Sequence, residues 1–107
     1  MTIEYIRYKV GVDQRENFVQ AYRSASAQLD DSEYCTAYEL SECEEEPGQY
    51  MLRIEWTSTQ DHLEGFRKSP GFRTFYGHIK AFFSNIQEMR HYQVTEVVSR
   101  KKVKSQN

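Results

Sequence analysis

The order in which two hydrophobic periods alternate along this chain limits its possible folds more than any other feature. Residues 2–10, TIEYIRYKV, alternate with period two and are rich in β-branched and aromatic side chains, which predicts a first strand. Ile6, Tyr8 and Val10 fall on one face, and Ile3, Tyr5, Arg7 and Lys9 on the other. From Asp13 the period becomes helical. Phe18, Ala21, Tyr22, Ala25 and Leu29 make one stripe, Asp13 and Glu16 are spaced as a capping box, and the polar DDSE closes the helix. Residues 34–43, YCTAYELSEC, alternate again, and EEEPGQ reads as a solvated turn. Residues 50–56, YMLRIEW, give a third strand with Leu52, Ile54 and Trp56 on its apolar face and Arg53 and Glu55 opposite. A short helix capped by Ser58 or Thr59 then carries His62, Leu63 and Phe66. Ser69-Pro70 starts a longer one, with Phe72, Phe75, Tyr76, Ile79, Phe82 and Phe83 on one side. Residues 86–94, IQEMRHYQV, read as the fourth strand.

The order β-α-β-β-α-β is the ferredoxin-like split βαβ arrangement, an α+β fold with helices on one face of a four-stranded antiparallel sheet. The uncovered face then carries Glu39, Arg53, Glu55, by parity Arg7, and either Glu88 with Arg90 or Met89 with His91. Matched charges beside Tyr5 and Met51 suit a two-fold partner, so a homodimer through this face is expected. At 107 residues the chain makes one domain, expected over 1–95, with 96–107 as a basic, frayed tail.

A formal charge of −2 gives no reason to expect binding to nucleic acid or to an anionic membrane. There is no apolar run of membrane-spanning length and no signal-peptide layout, so a cytoplasmic location is expected. Cys35 and Cys43, eight extended positions and roughly 26 Å apart, are expected as free thiols. Without CxxC or HxxxH spacing, no metal is expected. The 14% aromatic content stands against a mean hydropathy of −0.82, so the apolar mass is concentrated in rings.

YIRYKV in strand one, YELS in strand two, RIEWTS closing strand three and H-x-x-G-F-x-x-S-x-x-F from His62 to Phe72, followed by EMRHY, resemble the antibiotic biosynthesis monooxygenase family. The likeness spans residues 2–94 and implies a dimeric α+β barrel in which two sheets pack face to face. Such enzymes include cofactor-independent monooxygenases that oxidise polycyclic phenols or quinols with dioxygen. An electron-rich phenolate itself reduces oxygen there, so the protein supplies a dry aromatic slot, a group favouring the deprotonated phenol and a donor for reduced oxygen. Other relatives degrade haem. Two departures from the family pattern stand out. The family histidine three positions before the helix-start serine corresponds to Phe66 counted back from Ser69, or to Gly65 counted forward from Trp56, while His62 lies one turn earlier. The haem-degrading Asn, Trp and His positions hold Ile6, Phe66 and Tyr76, which disfavours that mechanism.

The slot implied between helices and sheet is lined by Tyr8, Tyr22, Tyr38, Trp56, Phe66 and Phe72 as binding residues. His62 is the candidate base, with Tyr76 and Tyr8 as polar donors. Against this, each ring serves equally as plain core, His62 as a helix-end histidine and His78 as a surface one, while His91 faces either the dimer or the slot. The expected function is cofactor-independent monooxygenation of a small aromatic or quinol-like compound. The alternatives are a non-catalytic dimeric module binding an aromatic or porphyrin-like ligand, an accessory to an oxygen- or haem-handling partner, or a purely structural dimer with no cavity.

Overall fold

In a computed structural model, which describes residues 1–101, the elements run in the expected order. They are β1 (Thr2–Lys9), a 3-10 turn at Val12–Gln14, α1 (Arg15–Asp31), β2 (Cys35–Glu42), β3 (Gln49–Trp56), a π-helical turn at Asp61–Phe66, α2 (Pro70–Ile79), a 3-10 turn at Lys80–Asn85, and β4 (Ile86–Gln93). The strands form one antiparallel sheet in the order β2-β3-β1-β4, an α+β architecture. Both helices lie on one face of it. The core runs from Ile6, Tyr8, Leu52, Ile54 and Trp56 on the sheet to Phe18, Tyr22, Ala25, Leu29, Phe75 and Ile79 on the helices.

Local chemistry explains most element boundaries. Ser69 accepts the backbone N–H of Phe72 and Pro70 occupies the first turn, so α2 starts where the Ser-Pro pair places it. The start of α1 differs from expectation. No side chain caps it, and Val12–Gln14 winds as a separate 3-10 turn, so the Asp13–Glu16 box is not formed. After Ile79 the helix tightens into 3-10 geometry, with about 3.0 residues per turn instead of 3.6. The aromatic stripe therefore rotates beyond that point, leaving Phe82 buried while Phe83 emerges at the surface; Tyr76, within α2, is also exposed. Leu63 is likewise exposed, and His78 lies on the outer side of α2.

The β2–β3 connection turns at Gly48, whose φ of +93° is the left-handed conformation glycine tolerates. A Cβ there would stand 2.7 Å from the Val10 carbonyl oxygen and 2.5 Å from the Arg15 guanidinium. Glu42 accepts the Gly48 N–H across the turn, and Cys35 and Cys43 are both free.

Register settles which residues share the bare face. Arg7 pairs with Glu88 and Tyr5 with Arg90, whereas Ile6 pairs with Met89 and Glu4 with His91. Glu88 and Arg90 therefore lie on the uncovered side, and Met89 and His91 on the helix side. Several bare-face charges are paired within the chain: Arg53 with Glu55 at 2.8 Å and Glu39 at 3.7 Å, and Arg90 with Glu88 at 3.3 Å, while Arg7 donates to Gln49. Beyond β4, residues 94–101 form neither helix nor strand, and the rest of the basic tail lies outside the described residues. Among the described residues no helix is long and apolar enough to cross a membrane.

Candidate functional site

A slot of about 120 Å³ opens between the helices and the β1–β3 half of the sheet. Its walls are rings: Trp56 from the end of β3, Phe66 from the π-helical turn, and Phe72 and Phe75 from α2. They meet edge-on or tilted at centroid distances of 5.1–5.7 Å, as quadrupoles favour. Of the residues singled out in the sequence, Tyr8, Trp56, His62, Phe66, Phe72 and Tyr76 line this slot. Tyr22 and Tyr38 do not. They border a separate groove of about 330 Å³ between α1 and the β2–β3 half of the sheet. The Tyr38 hydroxyl donates to Asp30 at 2.7 Å.

The polar end of the slot is built on β1. Glu4 lies on the same face as Ile6 and Tyr8, with only 2% of its surface exposed. The Trp56 indole N–H donates to Glu4 Oε1 at 3.1 Å. His62 is 3% exposed and lies flat on the Trp56 ring, with centroids 4.3 Å apart and planes 10° from parallel. Its Nε2 stands 3.6 Å from Glu4 Oε1, and its Nδ1 is 2.7 Å from Nε2 of His91.

The π-helical turn places that imidazole. Ser58 Oγ accepts the Asp61 N–H, and the Arg67 N–H reaches back five residues to the His62 carbonyl. The extra residue per turn swings both His62 and Phe66 inward. Gly65 lets the turn pass against the Tyr34 ring, where a Cβ would approach to 2.5 Å.

Burial dominates the electrostatics. Desolvation pushes the Glu4 carboxyl above its ordinary range, opposed by the Trp56 hydrogen bond and the Arg67 charge. Desolvation, then Arg67 and His91, push His62 down to about 3. His91 is lowered by burial and by Arg67. Both imidazoles are thus neutral near pH 7, and Glu4 is the more basic member of its pair with His62. Tyr8 and Tyr22 share a hydroxyl–hydroxyl bond. Burial raises Tyr8 to about 12 and Tyr22 further, so both remain phenols that can donate.

The mouth of the slot is rimmed by Tyr76, Phe83, Met89 and Arg67, all at least a third exposed. Sequence reasoning passed over Glu4, Arg67 and Met89. Glu4 was findable by parity, because an acid in step with Ile6, Tyr8 and Val10 breaks an otherwise apolar strand face. Arg67 and Met89 carried no such signal.

Comparison with known proteins agrees with this architecture. The family model for antibiotic biosynthesis monooxygenases matches residues 1–77. The uncharacterised YczJ protein of Bacillus subtilis (strain 168) is 30% identical over 88 residues, 82% of this chain and 90% of that one. A Bordetella bronchiseptica crystal structure, provisionally named an antibiotic biosynthesis monooxygenase, superposes with a TM-score of 0.76 at 20% identity. It covers 88% of this chain and 96% of its own. A conserved protein of Methanosarcina mazei Go1 superposes with a TM-score of 0.74 at 16% identity, covering 88% and 92%.

Proposed function

The chain belongs to the antibiotic biosynthesis monooxygenase family, and from that premise we propose that it inserts one oxygen atom of dioxygen into a single-ring phenol or quinol without a cofactor. The observation carrying this reading is a slot walled by aromatic rings with a buried carboxylate at its inner end. Its size favours a small substrate. An apolar cavity of about 150 Å³ accepts benzene, whereas drug-sized ligands need about 300 Å³ or more. A slot of about 120 Å³ thus suits one ring and disfavours a polycycle or a porphyrin.

Each residue then has a task. Trp56, Phe66, Phe72 and Phe75 hold the ring and exclude water. Glu4 accepts the phenol proton, with a basicity that burial has raised. His62, neutral and fixed against Trp56, stands behind the carboxylate instead of acting as the first acceptor. Arg67 at the mouth favours the phenolate by its charge. Tyr76, from the rim, donates to reduced oxygen, while the Tyr8 hydroxyl is paired with that of Tyr22. The phenolate carbon gains one oxygen atom, and the other leaves as water with two hydrogens of the substrate. Hydroquinone plus dioxygen thereby gives hydroxybenzoquinone plus water, with all four electrons that reduce dioxygen coming from the substrate.

The test is oxygen uptake with hydroquinone. Wild type should exceed the protein-free rate, and Glu4→Gln should fall by about 10²-fold or more, the usual worth of a positioned base. Equal uptake by wild type and variant would remove Glu4 from the mechanism. A second reading, binding without turnover, draws on Phe66 or Gly65 standing at the position where the family pattern has histidine. Tight binding of benzoquinone without oxygen uptake would favour it.

We also propose that two copies pack through the bare sheet face. Arg53 and Arg90 are neutralised in place by Glu55 and Glu88, and the edge-to-face pair Tyr5–Tyr92, with centroids 5.4 Å apart, offers an aromatic surface with Tyr92 about half exposed.

A further inference from the structure

We propose that Glu4, His62 and His91 form a proton relay connecting the inner end of the slot to solvent, with His91 as its outlet. The inference rests on the oxidation reading, because it supplies the exit for the proton which that reaction deposits on Glu4.

Glu4 stands against both imidazoles, 3.6 Å from His62 Nε2 and 4.0 Å from His91 Nε2, and the hydrogen-bond contact runs on from His62 to His91. Each nitrogen of His62 faces a different partner, Nε2 towards Glu4 at 3.6 Å and Nδ1 towards His91 at 2.7 Å. A metal cage would ask something else of the same residues. A single ion takes one nitrogen from each histidine, with tetrahedral ligand atoms about 2.0–2.2 Å from the ion and so roughly 3.4 Å from each other. His62 Nδ1 and His91 Nε2, 2.7 Å apart, are instead at hydrogen-bond distance. This line of contacts also runs outward. Glu4 and His62 are buried in the core, whereas His91, opposite Glu4 in the β1–β4 register, keeps 25% of its side chain exposed.

The protons balance along the chain. Glu4 takes the phenol proton and passes its own O–H to Nε2 of His62. The Nδ1–H of His62 passes to Nε2 of His91, and the Nδ1–H of His91 goes to water. One proton enters and one leaves, and both imidazoles finish neutral in their other tautomers. The groups facing the pair of histidines support this traffic. Glu4 lies on one side, and Arg67 on the other disfavours an imidazolium at either ring, so neither holds the proton it receives. Without an outlet, Glu4 would stay protonated at the buried inner end of the slot, and the next turnover would lack a base.

Replacing His91 tests the outlet without emptying the core. In hydroquinone oxidation, His91→Ala should lose about tenfold or more in kcat with KM unchanged, and added imidazole should restore the rate. An unchanged kcat, or a loss that imidazole does not restore, would overturn the relay. A second arm needs no turnover. In ¹⁵N spectra of the histidine side chains, Glu4→Gln should change the tautomer balance of His91, and adding His62→Phe should abolish that coupling. A His91 indifferent to Glu4→Gln would overturn the proposal. If the coupling holds while wild type leaves hydroquinone untouched, the relay stands and the oxidation reading falls. Stoichiometric Zn²⁺ binding lost in each single variant would instead establish a metal cage and overturn the relay.

Discussion

Glu4 and His62 carry opposite pH signatures although they stand side by side. The folded state lowers His62 from about 6.5 to about 3, so its contribution to stability is complete above pH 6.5 and is lost as pH falls towards 3. Glu4 is raised, so its contribution is complete below its unfolded value and is lost as pH rises through its folded one. The large His62 shift dominates on the acid side. Wild type should therefore lose stability between pH 6.5 and 4, on the order of a few kcal/mol. His62→Phe keeps the stack on Trp56 and removes the largest of these titrations, so urea unfolding of that variant should lose clearly less stability over the same range. Parallel pH profiles for the two proteins would contradict the buried, neutral placement of His62.

At the scale of elements, two kinds of feature hold the frame, and they differ in how openly the sequence states them. The Ser69-Pro70 start of α2 and the alternation in β1 and β3 are local, so spacing alone predicted them: the strands read over 2–10 and 50–56 form at Thr2–Lys9 and Gln49–Trp56, and α2 starts at Pro70 but ends at Ile79, short of the stripe read to Phe83. The 3-10 turn after Ile79 and the π-helical turn at Asp61–Phe66 depend on packing against the sheet, which no local pattern records. Tyr76 was expected inside and stands at the rim because Phe75, about 100° round the same helix, takes the buried position, and His91 stayed ambiguous until the β1–β4 register placed it opposite Glu4. Tyr22 and Tyr38 were expected in the same slot because α1 and β2 were treated as sharing one cavity. In the fold, Tyr8 and the core behind it separate the two spaces. The turn at Gly48 yields a prediction of its own. Gly48→Ala forces a side chain into a left-handed backbone and against the Val10 carbonyl, so it should cost about 1–3 kcal/mol in urea unfolding. A neutral substitution would show that the β2–β3 connection has another conformation open to it.

For the whole molecule, the sheet with one covered face sets the expectations for assembly and for reaction together. A dimer through the bare face predicts a scattering mass of twice the 12.7 kDa chain, and a charge reversal at Arg53, which bridges Glu39 and Glu55, should shift it towards monomer. A monomer mass for wild type at micromolar concentration would contradict the packing. The slot lies on the opposite side of the sheet, so its chemistry is tested separately. The central claim is that this slot transfers one atom of dioxygen to a single aromatic ring, and ¹⁸O₂ labelling in the hydroquinone reaction tests it most directly. The account predicts hydroxybenzoquinone bearing one ¹⁸O atom with wild type and loss of that product with Glu4→Gln. Unlabelled benzoquinone and peroxide, formed at the same rate with and without the protein, would contradict it.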